Sequence, residues 1–416
     1  MKSIKQNIIY IVLLLILFPG VKARSQDLPG YLKEAGQNHP GIQAAWKEYY
    51  AALEQVPQAG TLPDPKLSMG YFISPVETRL GPQHFKVSLS QMFPWFGTLK
   101  LKEQAAVEQA RVKYQAFIEK RNAVYKKVRI QWYNLYKTAE SIRITKDNID
   151  ILESLKSVTR RNYENDKGKM AELLRINVNI RDQENKLENL RDQLSTRKTN
   201  FNLLLNRPPG DPLKTPGSIN LGTFDIVAYR DSIRNHPDIT ALEHKEAALE
   251  RQVQLDKKQG YPSISLGLDY AMIGQRQDMK VQNSGRDVIM PMVGISIPLY
   301  RNKYNAMEKQ TRLKLEVVQS KQQEKQNQLT AQYKEAEEAY KEALRHIELY
   351  KKQVQETEKI YNLLKTSYSA GGESFFELLR TRLLVREYKL KLEKARADRN
   401  IAVARLQYIT SQNYPS

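Results

Sequence analysis

The chain has 416 residues, no cysteine, and 66 Lys and Arg against 46 Asp and Glu, for a net charge of +20. The length admits roughly two or three ordinary domains, and the lack of cysteine excludes disulfides, thiolate metal sites, thiol catalysis and a lipid-bearing N-terminal cysteine. A basic chain suits nucleic acid or an anionic membrane, but Lys and Arg are interspersed with Glu and Asp along helical stretches, which with an export signal argues against nucleic acid.

That signal occupies residues 1–25: Lys2 and Lys5 are followed by the apolar run Ile8 to Phe18 and by small residues at Ala23-Arg24-Ser25, with cleavage expected after Ser25. The run is too short to favour a spanning helix, and no later stretch reaches the roughly 20 apolar residues that one needs. A membrane segment in this chain must therefore be β.

A short helix is expected from Pro40 to about Gln58, then two strands at about 65–74 and 84–92. Leu67, Met69, Tyr71 and Ile73 alternate with Lys66, Ser68 and Gly70, and Phe85, Val87 and Leu89 with Lys86, Ser88 and Ser90, the period of a strand with one apolar face. Thr78 to Gln83 reads as the loop between them. A helical hairpin over 99–205 follows. Its first arm, Leu99 to about Tyr163, lacks Pro and Gly, so it reads as one helix on the order of 100 Å long. Val128, Trp132, Leu135, Ala139, Ile142, Ile149 and Leu152 form a heptad-like seam, answered on the returning arm by Ile176, Ile180, Leu187, Leu190, Leu194, Phe201 and Leu204, with Gln183 and Arg197 as polar interruptions. The Pro- and Gly-rich segment 206–222 is a linker.

Residues 223–411 repeat this order, with strands at about 262–273 and 288–298, a loop from Gly274 to Gly285 and a long hairpin over 304–411; residues 412–416 form a tail. Three landmarks recur in register. Asn38-His39-Pro40 returns as Asn235-His236-Pro237, and Pro65 to Tyr71 as Pro262 to Leu268. A tyrosine, eight residues and Glu-Leu-Leu-Arg runs from Tyr163 to Arg175 and again from Tyr368 to Arg380. Together they indicate duplication. The fold class that follows is mainly α, with duplicated long helical hairpins and four strands. Strands of about ten residues suit a membrane β-barrel, but four cannot close one, so several chains must share it. One alternative for the strands is a small sheet with one face on a soluble core; the alternative for the whole chain is a soluble periplasmic coiled-coil adaptor or structural protein, which should lack four amphipathic strands.

No chemistry stands out. The histidines His39, His84, His236, His244 and His346 lack metal-ligand spacing, and His39 and His236 sit where Pro40 and Pro237 open helices, which assigns the residues before each proline to capping. Met69, Met92, Met272, Met290 and Met292 read as lipid-facing or loop packing. No phosphate loop, nucleophile elbow or acid and base pair occurs, so neither catalytic, cofactor nor metal residues are expected.

Across the mature sequence this layout resembles the TolC-like outer-membrane factor family, on the duplication, the Asn-His-Pro elements and the paired tyrosine to Glu-Leu-Leu turns. Leu62-Pro63-Asp64-Pro65 and Gln91 to Gly97 are similar to segments of its heavy-metal efflux branch. The resemblance implies a homotrimer in which twelve strands close one barrel in outer-membrane lipid, with a helical tunnel crossing the periplasm to a periplasmic adaptor and an inner-membrane transporter. It implies that Tyr163, Asp166, Lys167, Gly168, Tyr368, Gly371, Gly372 and Glu373 shape the tip and meet the adaptor. Glu377 matches a position of the family's acidic pore ring, but Arg380 stands where a second acid is common and Glu373 where some members carry a gating arginine. Glu172 and Arg175 are the first-half counterparts, so Glu172, Arg175, Glu377 and Arg380 are expected to set the charge of the pore constriction, unless they form salt bridges on a solvated face.

Overall fold

The computed structural model describes residues 27–222, 224–226, 232–370 and 374–411. The expected signal at 1–25, the tail at 412–416 and Gly371, Gly372 and Glu373 lie outside them. Helix α1 (Leu28–Asn38) is capped by Asp27, whose carboxylate accepts the Gly30 N–H at 2.9 Å. Helix α2 (Pro40–Gly60) and its second-half counterpart α5 (Pro237–Gln259) open on the two Asn-His-Pro elements. In each, the histidine is the N-cap: His39 Nδ1 accepts the Gly41 N–H at 3.0 Å and His236 Nδ1 accepts the Asp238 N–H at 3.2 Å. Proline suits the first turn because the N–H it lacks would have had no partner there.

Two very long helices dominate. Helix α3 (Thr98–Glu164, 67 residues) starts at Gly97, which has φ +78°, and α6 (Arg301–Ser369) has 69 residues. At 1.5 Å per residue each is about 100 Å long. The returning arms, α4 (Met170–Leu204) and α7 (Phe375–Ile409), have 35 residues each. Along α3 lie α2 and α4, along α6 lie α5 and α7, and α3 joins the halves by packing on α5 and α7. Among the described residues no helix is long and apolar enough to cross a membrane.

Strands β1 (Lys66–Thr78), β2 (Gly81–Phe93), β3 (Ser263–Ile273) and β4 (Val288–Ser296) form one antiparallel sheet in the order β1-β2-β3-β4. The first hairpin is longer than expected: Thr78 and Gly81 to Gln83 belong to the strands, leaving Arg79 and Leu80 as the turn. The register slips between Tyr71 and Val76, and Pro75 falls in that irregular stretch, where its missing N–H leaves no gap in the ladder. At Gly81 φ is +133°, and a Cβ there would stand 1.9 Å from the Gly274 carbonyl oxygen, so only glycine fits this close approach.

Three clusters hold the helical body. Tyr31, Trp132 and Phe201 centre the first, Tyr333, Tyr340 and Leu406 the third, and the second, around Leu152, Ile176, Tyr368 and Leu378, lies towards the tips and draws on both halves. On α3 the expected seam drifts. Ala139, Ile142 and Ile149 are half-buried, while Thr138, Thr145 and Asn148 are buried. The reason is that α3 packs against several helices at once, whereas a heptad assumes one partner. The α4 seam is buried at Ile176, Ile180, Gln183, Leu187, Phe201 and Leu204 and half-buried at Leu190, Leu194 and Arg197. Residues 206–222 are pinned to the body: Arg207 pairs with Glu34, Asn202 Nδ2 donates to the Pro209 and Asp211 carbonyls, and Asn400 Nδ2 to that of Asn220.

Candidate functional site at the tips and the sheet

At the first tip Asn165 caps α3 through Nδ2, which donates to the Arg161 carbonyl at 2.7 Å, and Asp166 turns the chain with φ +56°. The Lys167 N–H reaches back to the Asn162 carbonyl at 2.8 Å. A Cβ on Gly168 would press on the Tyr163 nitrogen at 3.1 Å, so the tightness of the turn favours glycine. At the second tip Ser374 caps α7, its Oγ accepting the Phe376 N–H at 3.2 Å.

The two tip tyrosines have different surroundings. Tyr163 is exposed, while Tyr368 is buried with its ring 5.9 Å from that of Phe375 and its hydroxyl 3.4 Å from both Thr159 Oγ1 and Glu172 Oε2. Tyr368 thus ties the halves together inside the tip and does not offer its ring to a partner surface. The four charges also divide. Glu172 turns inward to Tyr368, and Arg175 stacks on the Phe376 ring at 5.3 Å. Glu377 and Arg380 make an exposed pair at 3.8 Å one turn apart, a geometry that contributes only a few tenths of a kcal/mol. Arg175, Phe376 and Arg380 line one groove of about 350 Å³ between α4 and α7. Phe376 and Thr159 carried no sequence signal beyond their nearness to the tips.

The sheet exposes one apolar face: Leu67, Met69, Tyr71 and Ile73 on β1, Leu266, Leu268 and Met272 on β3, and Ile289, Val293 and Ile295 on β4, with Ile73 reaching 92%. The opposite face carries Ser68, Gly70, Lys86, Ser88, Ser90 and Asp269. There Lys86 and Asp269 form an ion pair at 2.5 Å, and Ser88 stands directly across from Asp269. The methionines split, against the expectation. Met69 and Met272 lie on the apolar face, but Met92, Met290 and Met292 pair with Ser265, Asp269 and Gly267 and so share the polar one. The alternation of β4 passes through Pro291, opposite Leu268, and sets this phase.

At the foot of the strands the Trp95 and Tyr261 rings stack at 5.3 Å and 15°; Phe96, next to Trp95, and Tyr300, at the start of α6 just after β4, are exposed. Leu62 to Pro65 and Gln91 to Gly97 both belong to this junction, where Gln91 Nε2 donates to the Pro63 carbonyl at 2.8 Å. Among the described residues no group of three or more His, Cys, Asp or Glu side chains is arranged to hold a metal ion.

Long paired helices carrying a four-stranded antiparallel sheet make a fold that this chain shares with solved outer-membrane proteins. The chain is similar to the outer membrane protein VceC from Vibrio cholerae (TM-score 0.76, 15% identity, 92% of this chain and 95% of that one). It is also similar to CusC (TM-score 0.78, 14% identity, 93% and 92%) and to the MtrE outer membrane channel of Neisseria gonorrhoeae (TM-score 0.74, 14% identity, 92% and 89%). Residues 228–412 match the family model described as Outer membrane efflux protein. No curated protein matches the chain.

Proposed function

We propose that this chain is a subunit of an outer-membrane efflux channel, a passive duct through which an energised partner discharges solute. The carrying observation is the sheet. Among the described residues its two edges, β1 and β4, have no further strand beside them, and it has a face of exposed Leu, Ile, Val, Met and Tyr at one end of the long helices. Water disfavours such a face and lipid disfavours such edges; both are accommodated if copies join edge to edge into a barrel with the apolar face outward. Three copies supply twelve strands, and the polar face, with Lys86 and Asp269, then lines the lumen. The exposed rings at the strand foot suit the aromatic girdle of a membrane interface.

In this reading the helical body extends into the periplasm, and the turns expected from the sequence at 164–169 and 369–373 meet a periplasmic adaptor of an inner-membrane transporter. Asp166, Lys167 and Tyr163 supply contact surface there, and Tyr368 holds the tip in shape. Gly371, Gly372 and Glu373 belong to the same contact on the strength of the family resemblance. Glu172, Arg175, Glu377 and Arg380 set the charge of the constriction, with Arg175 and Arg380 the pair that shares a groove. A metal-cation cargo is suggested by the junction segments Leu62 to Pro65 and Gln91 to Gly97 alone.

Fractionation followed by planar-bilayer recording tests the proposal. The protein is expected in the outer-membrane fraction, as a trimer in detergent, with discrete conductance steps. A monomer recovered in the soluble fraction without detergent would refute it and favour a soluble periplasmic coiled-coil protein.

A further inference from the structure

A passive duct does not require a net charge of +20. Part of that excess converges on a cavity of about 490 Å³ between α4 and α7, floored by α3 and continuing the tip groove along the rods. Lys137 from α3, Arg197 from α4 and Arg386 from α7 line it. Among the described residues none of the three has a carboxylate within the 4.0 Å of an ion pair. The other cations at its rim, Lys186, Lys391 and Lys394, are neutralised on their own helices by Asp182, Glu387 and Asp398 at 2.7, 2.6 and 2.6 Å.

Gathering like charges in a partly buried cleft is unfavourable. Burial pushes the Lys137 ammonium below its ordinary range; Asp398 opposes this, and Arg197 and Lys394 push it down further. Burial also lowers the Arg386 guanidinium against the pull of Asp182 and Glu387, and its Nε is buried without a hydrogen-bond partner. A second observation is independent of charge. Thr145 lines the same cavity, is fully buried, and its hydroxyl has no partner, although a buried hydroxyl normally finds one. Leu190 and Leu390 add apolar wall.

We propose that this cleft binds an organic anion, its carboxylate, sulfonate or phosphate group held by Lys137, Arg197 and Arg386 and its apolar body resting on Leu190 and Leu390. Three cations from three helices reward a delocalised anion and repel a metal cation. The cleft is open to solvent along one side, and its volume lies in the range of sites that take drug-sized ligands. The inference stands on the cleft alone and does not need the chain to be a channel.

The test is calorimetric titration of the purified full-length protein in detergent with naphthalene-2-sulfonate, beside the neutral naphthalene-2-sulfonamide and inorganic phosphate. Saturable binding of one sulfonate per chain is expected, with both other probes at least about tenfold weaker, the loss that one charge-assisted contact carries. Lys137→Gln and Arg197→Gln should each weaken the sulfonate by about tenfold or more, and Lys352→Gln, on an exposed stretch of α6, should not. Equal affinity for the sulfonamide, phosphate binding as tightly as the sulfonate, or unchanged affinity in the Lys137→Gln/Arg197→Gln double variant overturns the assignment. Thermal melts check that each variant folds; Lys137 and Arg197 are both only half-buried, so neither substitution opens a hole in the core. Bilayer recordings on the same proteins keep the two readings apart: intact conductance beside absent binding refutes the cleft and spares the duct.

Discussion

His236 should make the helical body acid-sensitive in a window set by its burial. The ring is 1% exposed, lies edge-on to Tyr408 at 5.3 Å, and accepts the Asp238 N–H on Nδ1 to cap α5. Burial lowers its pKa from 6.5 to about 4; Asp238 opposes the shift, and Lys325 and Lys126 add to it. Protonation would turn the capping acceptor into a donor facing another donor, at the positive end of a helix dipole. The folded state therefore holds the ring neutral while the unfolded chain takes up a proton near its ordinary pKa. Because the unfolded state binds more protons across this window, stability rises with pH within it and is lost as pH falls from 6.5 towards about 4. Between about pH 7 and about pH 5 the linkage is worth about 2 kcal/mol per chain.

The perturbation is His236→Asn, since asparagine keeps a capping oxygen and does not titrate. Urea midpoints followed by far-ultraviolet circular dichroism, for both proteins in one detergent, give the comparison. Carboxylates and His39 titrate in both proteins, so the difference between the two curves isolates His236. The parent should lose about 2 kcal/mol more than the variant from about pH 7 to about pH 5. Parallel curves, agreeing within about 0.5 kcal/mol, would refute the claim that burial holds this ring neutral.

Other substitutions probe the sheet, the seam and the tip. Gly81→Ala should disrupt the first hairpin, because its Cβ would enter the space of the Gly274 carbonyl; the yield of assembled protein in the outer-membrane fraction should fall, and a normal yield would count against so close an approach of the two loops. Asn148 is fully buried and both its amide atoms lack partners among the described residues, so Asn148→Leu should stabilise the fold by about 1–3 kcal/mol of relieved desolvation, seen as a raised melting temperature. An unchanged or lowered melting temperature would mean the amide has a partner in the assembly. Tyr368→Ala removes a buried ring shared by both halves and should cost about 3–5 kcal/mol, seen as faster hydrogen exchange at 155–180; Tyr163→Ala, at an exposed ring, should leave exchange there unchanged. Glu377→Arg should shift the reversal potential towards anion selectivity in planar bilayers, and an unchanged potential removes Glu377 from the pore lining.

The order of strands and helices in each half was legible in local sequence signals. Strand and helix periods, the long runs without Pro or Gly, and the two Asn-His-Pro caps are local signals, so Leu67 to Ile73 and the run from Leu99 to Tyr163 declare their structure wherever they are placed. Tertiary structure decided everything that depends on which helices meet. The same tyrosine motif is exposed at residue 163 and buried at 368, because only the second ring faces the cluster built from both halves. On α3 the seam moved from Ile142 and Ile149 to Thr145 and Asn148, since several neighbours share that helix. Lys137, Arg197 and Arg386 reach one cleft across more than half the chain's length. A period can say which face of a helix is buried, but charge convergence depends on distances between segments, and those exist only once the helices have packed.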